Sequence, residues 1–169
     1  MNVGKSAPAA TKQLWTAGWD NFDEPLNYAS SNITWQASSG KLTMTFVLNS
    51  ATPSKLYQMH VNFFCTQGDV PNKTFGQFPI DAACADLTRQ GVTEEILAVE
   101  LGTVLTDAKG TGSFQVVVNH VKSGTYAVEF GARDGAGCYV LGGAGNGSNC
   151  LLDFQSPGPF GTTTTIVVP

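Results

Sequence analysis

The stretch "WDNFDEP" packs Asp20, Asn21, Asp23 and Glu24 into five residues. Hard oxygen donors at that density on a turn-rich loop suit Ca²⁺. Asp134 in "RDGAG" and Asp153 in "CLLDF" are the candidates to complete such a shell. The spacing is not that of an EF-hand, because "DAKGTG" has Lys109 where a ligand is needed. Calcium is therefore the one cofactor candidate, and otherwise no cofactor is expected. A transition-metal site is a weaker case. The chain has two histidines, His60 and His120, and they would have to recruit Asp134 or Asp153 from distant segments.

The four cysteines, Cys65, Cys84, Cys138 and Cys150, contain no C-x-x-C and no histidine at zinc-finger spacing. Two disulfides, Cys65–Cys84 and Cys138–Cys150, are the expected pairing, and they imply an oxidising compartment. A second chemistry is open to Trp15, Trp19 and Trp35, which fall within the first 35 residues. The flat apolar face of an exposed indole matches the C–H face of a pyranose, so these three are candidate glycan contacts. Sequons at Asn32, Asn72 and Asn146 permit N-glycosylation without arguing for it. "GGAGNGS" lacks the third glycine of a dinucleotide fingerprint, has no Lys-Ser/Thr ending and opens no helix, so it is not a phosphate cradle. There is no G-x-S-x-G, and the cysteines are committed to disulfides. No enzymatic activity is expected.

The elements that must carry these residues read as strands. "KLTMTFVL" puts Leu42, Met44, Phe46 and Leu48 on one face. "LYQMHVNFFC" turns Tyr57, Met59, Val61, Phe63 and Cys65 inward, with Gln58, His60 and Asn62 outward. "SFQVVVNHV" and "TYAVEFGAR" alternate in the same way, and "TTTTIVV" closes the sequence as a final strand. Gly-, Pro-, Asp- and Ser-rich turns separate them. The one helix-like window, "DLTRQGVTEEILAVEL", is weakened by Gly91 and β-branched neighbours. The segment from Cys65 to Gly91 reads as a long irregular loop. The expected fold is all-β: one antiparallel β-sandwich over 1–169, Greek-key or jelly-roll-like, with two disulfides. Residues 1–14 form a candidate N-terminal arm and 161–169 a candidate terminal strand.

Charged residues make up 13% of the chain, about half the usual share of roughly 25%. Nine basic against 13 acidic residues, with no basic cluster, argue against a nucleic-acid partner. No apolar run is long enough for a helical membrane span, and "MNVGKSAPAATKQ" has no signal-type apolar stretch.

"LGTVLTDAKGTGSFQVVV" followed by "SGTYAVEF" resembles a hairpin of secreted bacterial and archaeal β-sandwich proteins, strand–"TDxxGxGxF"–strand–"GTYxVxF". The similarity covers Leu101 to Phe130, and "GWDNFDEPLNY" and "ATPSKLYQMHV" are consistent with the same group. It implies the sandwich fold and export, and it carries no reaction. A low-charge, Thr- and Gly-rich sandwich ending in "TTTTIVVP" can join neighbours by strand addition. The expected function is thus a non-catalytic structural module, extracellular or at the cell surface. It would self-associate into a homopolymer such as a fibre or layer, by β-strand complementation. The alternatives are a glycan-binding module working through surface tryptophans and a Ca²⁺-binding adhesion domain.

Overall fold

The structure, a computed structural model, describes residues 10–18, 23–68, 74–79, 85–86, 95–134, 151–158 and 162–169. Among these there is no helix, and thirteen strands follow in order. They are β1 (Thr11–Leu14), β2 (Thr16–Ala17), β3 (Asn32–Ser38), β4 (Lys41–Leu48), β5 (Leu56–Gly68), β6 (Thr74–Phe75), β7 (Phe78–Pro79), β8 (Ala85–Asp86), β9 (Glu95–Leu105), β10 (Gly112–Asn119), β11 (Gly124–Asp134), β12 (Leu152–Ser156) and β13 (Thr164–Val168). One sheet runs β1-β3-β4-β10 and the other β2-β12-β11-β5-β9-β8, with β13 added beside β11; all pairings are antiparallel.

The strand alternation read from sequence sets the core between the sheets. Leu42, Met44, Phe46 and Leu48 of β4 face Tyr57, Met59, Val61 and Phe63 of β5 and Tyr126, Val128, Phe130 and Ala132 of β11, all buried. Aromatic rings bridge the two layers. The Phe130 ring lies 5.4 Å from Trp35 and 6.0 Å from Phe46, and Trp15 lies 6.2 Å from Phe46 and 6.3 Å from Phe154. Ring pairs at these separations add to the hydrophobic gain of burial.

β11 organises the larger sheet. One of its edges pairs with β5. The other is shared end to end by β12, opposite Phe130–Arg133, and β13, opposite Gly124–Val128. The terminal strand therefore docks in the chain's own sheet, with Ile166 and Val168 buried and Val167 60% exposed. Part of the expected N-terminal arm is also docked: β1 pairs with β3 in register Thr11↔Trp35 to Leu14↔Asn32.

The helix-like window does not fold as a helix where it is described, since Glu95–Leu105 is strand β9, paired with β5. Its β-branched content and the pairing available on β5 outweigh four-residue periodicity. Within the expected irregular loop, a small hairpin, β6–β7, inserts Phe75 into the core. Both expected disulfides fall outside the described residues: Cys84, Cys138 and Cys150 lie in undescribed segments, and only the backbone of Cys65 is described.

Candidate functional site

The Glu24 loop, the "ATPSK" loop and the turn between β9 and β10 meet at one end of this sandwich. The turn between β9 and β10, "TDAKGTG", is shaped by its own side chain. Asp107 Oδ1 accepts the amides of Lys109 (2.8 Å) and Thr111 (2.9 Å), which holds the exposed Asp107 carboxyl below its ordinary range. Gly110 sits at φ 75°, and a Cβ there would stand 1.9 Å from the Ala51 carbonyl oxygen. Its own carbonyl accepts the Ala51 amide at 2.9 Å. One residue before Asp107, the Thr106 hydroxyl donates to the Thr52 carbonyl (2.6 Å) and accepts the Lys55 amide (3.0 Å). The "TPSK" loop is thereby fixed, and Lys55 is aimed along the end of the sandwich.

The Lys55 ammonium meets three carboxylates from three other segments. Glu24 Oε1 lies at 2.8 Å, Asp153 Oδ2 at 3.3 Å, and Asp134 Oδ1 is in direct contact. Lys55 also lies 4.9 Å from the centre of the Tyr57 ring. Glu24 Oε1 further accepts the hydroxyls of Thr52 (2.8 Å) and Tyr57. Asp134 stands opposite Tyr57 in the β11–β5 register, and Asp153 follows Leu152 where the β11–β12 register slips. The backbone of Asp153 is held by the Gly18 amide at 2.8 Å. Asn27 turns the preceding loop: its carbonyl accepts the Ser31 amide (2.9 Å), and its amide donates to Asn49 (2.8 Å). That turn brings Tyr28 over Phe154, 6.4 Å between rings.

The electrostatics follow from this crowding. Burial pushes the Glu24 carboxyl up, but hydrogen bonds from Lys55, Tyr57 and Thr52 outweigh it and hold the group below its ordinary value. Burial likewise raises Asp134, and its hydrogen bonds to Asp153 and Lys55 win and lower it. Burial alone would depress Lys55, yet Asp134, Glu24 and Asp153 hold the ammonium above its usual range. Burial and the neighbouring Glu24 raise both Tyr57 and Tyr28. Asp134 lies against the ammonium, and Asp153 is fully buried beside it.

The candidate calcium shell is thus partly assembled, around a different cation. Glu24, Asp134 and Asp153 converge, and the Lys55 ammonium stands at their centre. Asp23 is exposed, and Asp20 lies outside the described residues. No group of three or more His, Cys, Asp or Glu suited to a metal ion occurs among the described residues. His60 and His120 do not form a pair: His60 is buried within β5, and His120 is an exposed turn residue at φ 59°.

The candidate glycan platform requires correction. Trp15 and Trp35 are 1% and 5% exposed and belong to the core, so neither offers a ring face to a sugar. Each is drawn in by its aromatic neighbours across the sandwich. Trp19 lies outside the described residues. Of the sequons, Asn32 opens β3 half-buried, its amide donating to the Ser30 carbonyl at 3.2 Å, and Asn72 and Asn146 lie outside the described residues.

Sequence reasoning missed Lys55, whose only signal was its place in "ATPSKLY" beside an isolated cation count. It also missed a second polar cluster. Gln58, His60 and Asn62 lie on the side of β5 away from the core, as alternation requires, but all three are buried, with Glu129 and Gln155 beside them. Asn62 Nδ2 donates to Glu129 Oε1 at 3.5 Å. Burial first, and Arg133 second, depress His60 well below its ordinary value, so it is neutral. Its ring lies against Gly131, where a Cβ would come within 2.2 Å of His60 Cε1.

No family model matches this chain, and no curated protein matches it.

Proposed function

We propose that this chain is a non-catalytic extracellular structural module, a subunit of a surface fibre or layer, that joins its neighbours by exchanging its terminal strand. One observation carries the proposal: β13 is a short, charge-free edge strand that fills half of one edge of β11 with two plugs, Ile166 and Val168.

The other sheet margins are poorly suited to that role. β2 and β8 are two residues long, and β1 carries Lys12. The margin of β10 is blunted by Gln77, whose side-chain amide donates to the Val117 carbonyl (2.8 Å) and accepts the Asn119 amide (2.7 Å). Short, charged or covered edges resist strand addition. β13 presents "TTIVV", with Val167 exposed, and among the described residues it pairs with β11 alone. Its link to β12, Pro157 to Thr163, contains two prolines and two glycines by sequence, and strand exchange would carry β13 across this link to the same groove of a neighbour. The Lys55 cluster is consistent with a load-bearing end, since it ties the Glu24 loop, the Lys55 loop, β11 and β12 together.

The compartment rests on Cys65–Cys84 and Cys138–Cys150, which we take to be disulfides; intact mass before and after reduction tests them. The function is tested by size-exclusion chromatography and negative-stain imaging of native material. Polymers are expected, and removal of Gly161–Pro169 should abolish assembly or folding. A truncated protein that still assembles and melts unchanged would refute the proposal.

A further inference from the structure

We propose that the Lys55 side chain condenses with Asp134 into an intramolecular amide, a covalent clamp between the start of β5 and the end of β11. The two groups are in direct contact, and Asp134 sits opposite Tyr57, two residues beyond Lys55, on the neighbouring strand. The remaining requirements for amide formation are also at hand. Glu24 Oε1, 2.8 Å from Lys55 Nζ, can take a proton from the ammonium. Once it holds that proton, Glu24 can return it to the departing oxygen.

The step balances without any outside reactant. Lys55 Nζ gives one proton to Glu24 and attacks Asp134 Cγ, forming the N–C bond. The Cγ–O bond breaks, and that oxygen leaves as water with the proton that Glu24 returns and a second proton from nitrogen. The third proton stays on the amide. Glu24 ends ionised, as it began, and the ammonium and carboxylate charges vanish together, so the net charge of the cluster is unchanged.

The driving force is the environment. The ion pair holds an ammonium and a carboxylate whose side chains are 21% and 23% exposed, beside a carboxyl with no exposure. Charges removed from water are costly even when paired. The amide removes both and releases a water molecule. Because the ammonium is strongly held, the reaction is slow, and its product accumulates as the folded protein ages. The inference stands whether or not the chain polymerises, since the bond forms within one subunit.

The test uses the full chain, reduced and alkylated so that cysteines do not confuse the mass, both freshly purified and after prolonged incubation. The expected result is a mass lower than the sequence by one water. Proteolysis should give a branched peptide joining the Lys55 and Asp134 segments, with no tryptic cleavage after Lys55. Lys55→Arg keeps a cation in place but should retain the full sequence mass. Glu24→Gln should slow or abolish the loss, and circular dichroism of both variants confirms folding. Full sequence mass at both times overturns the proposal. So does a missing water found in a linear peptide at Asp134–Gly135, where the sequence also permits a succinimide.

Discussion

Replacing Ile166 with alanine tests whether β13 is docked as described. Ile166 is fully buried opposite Tyr126 in the β11 register, and Val168, 2% exposed, follows opposite Gly124. Truncating a buried isoleucine to alanine costs about 2–5 kcal/mol, through lost transfer free energy and the cavity left behind. A terminal strand can settle into that cavity more readily than a central one, so about 2–3 kcal/mol is expected here. For a domain of this size such a loss lowers Tm by roughly 4–12 °C. Val167→Ala is the internal control: its side chain is 60% exposed, and the change should stay within about 0.5 kcal/mol. The assay is urea unfolding followed by the fluorescence of the buried Trp15 and Trp35, at one low protein concentration so that assembly does not add to stability. Equal midpoints for Ile166→Ala and Val167→Ala would refute the docking of β13, and the reasoning built on it.

Gly131→Ala should destabilise the fold by about 1–3 kcal/mol, because the added Cβ meets the buried His60 ring; thermal melts check this, and His60→Ala in the same chain should recover part of the loss. Lys55→Met should cost about 3 kcal/mol in denaturant unfolding, since it leaves Glu24, Asp134 and Asp153 together without their cation. In chains not yet condensed, Glu24 and Asp134 have folded values below their ordinary 4.5 and 3.8. Their contribution is present above those ordinary values and is lost as pH falls through the lowered folded values. A plot of Tm against pH should therefore hold level down to about pH 5 and decline below pH 4, and Glu24→Gln should flatten the decline.

The strands that line the core were legible because a two-residue period states which side chains share a face. β4 spans Lys41–Leu48, the stretch read from sequence, and the inward residues of β5, β10 and β11 alternate as expected. The same period is silent on what covers the other face, which is why Gln58, His60 and Asn62 were expected in water and are buried. β3 and β12 went unread. "NITWQAS" does alternate strictly, with Ile33 and Trp35 on the buried face, whereas "LDFQS" is only five residues long, is buried throughout, and carries the register slip beside Asp153. Glu24, Asp134 and Asp153, the acids expected in a calcium shell, converge on the Lys55 ammonium instead. An isolated lysine in a proline-containing turn has no local signature. Its position is set by hydrogen bonds to Thr106 from a hairpin some fifty residues on. Trp15 and Trp35 were misjudged as surface residues because composition gives no depth, whereas they are fixed by Phe46, Phe130 and Phe154 on facing strands.

Strand exchange is most directly tested by complementation in trans. A chain ending at Phe160 lacks β13, leaving the Gly124–Val128 edge of β11 without its partner. A synthetic peptide of residues 162–169 should bind this truncated chain, raise its Tm toward that of the full protein and block its incorporation into polymers of full-length subunits. The same peptide carrying Ile166→Asp should do none of these. A truncated chain that is as stable as the full one, and indifferent to either peptide, would contradict the account.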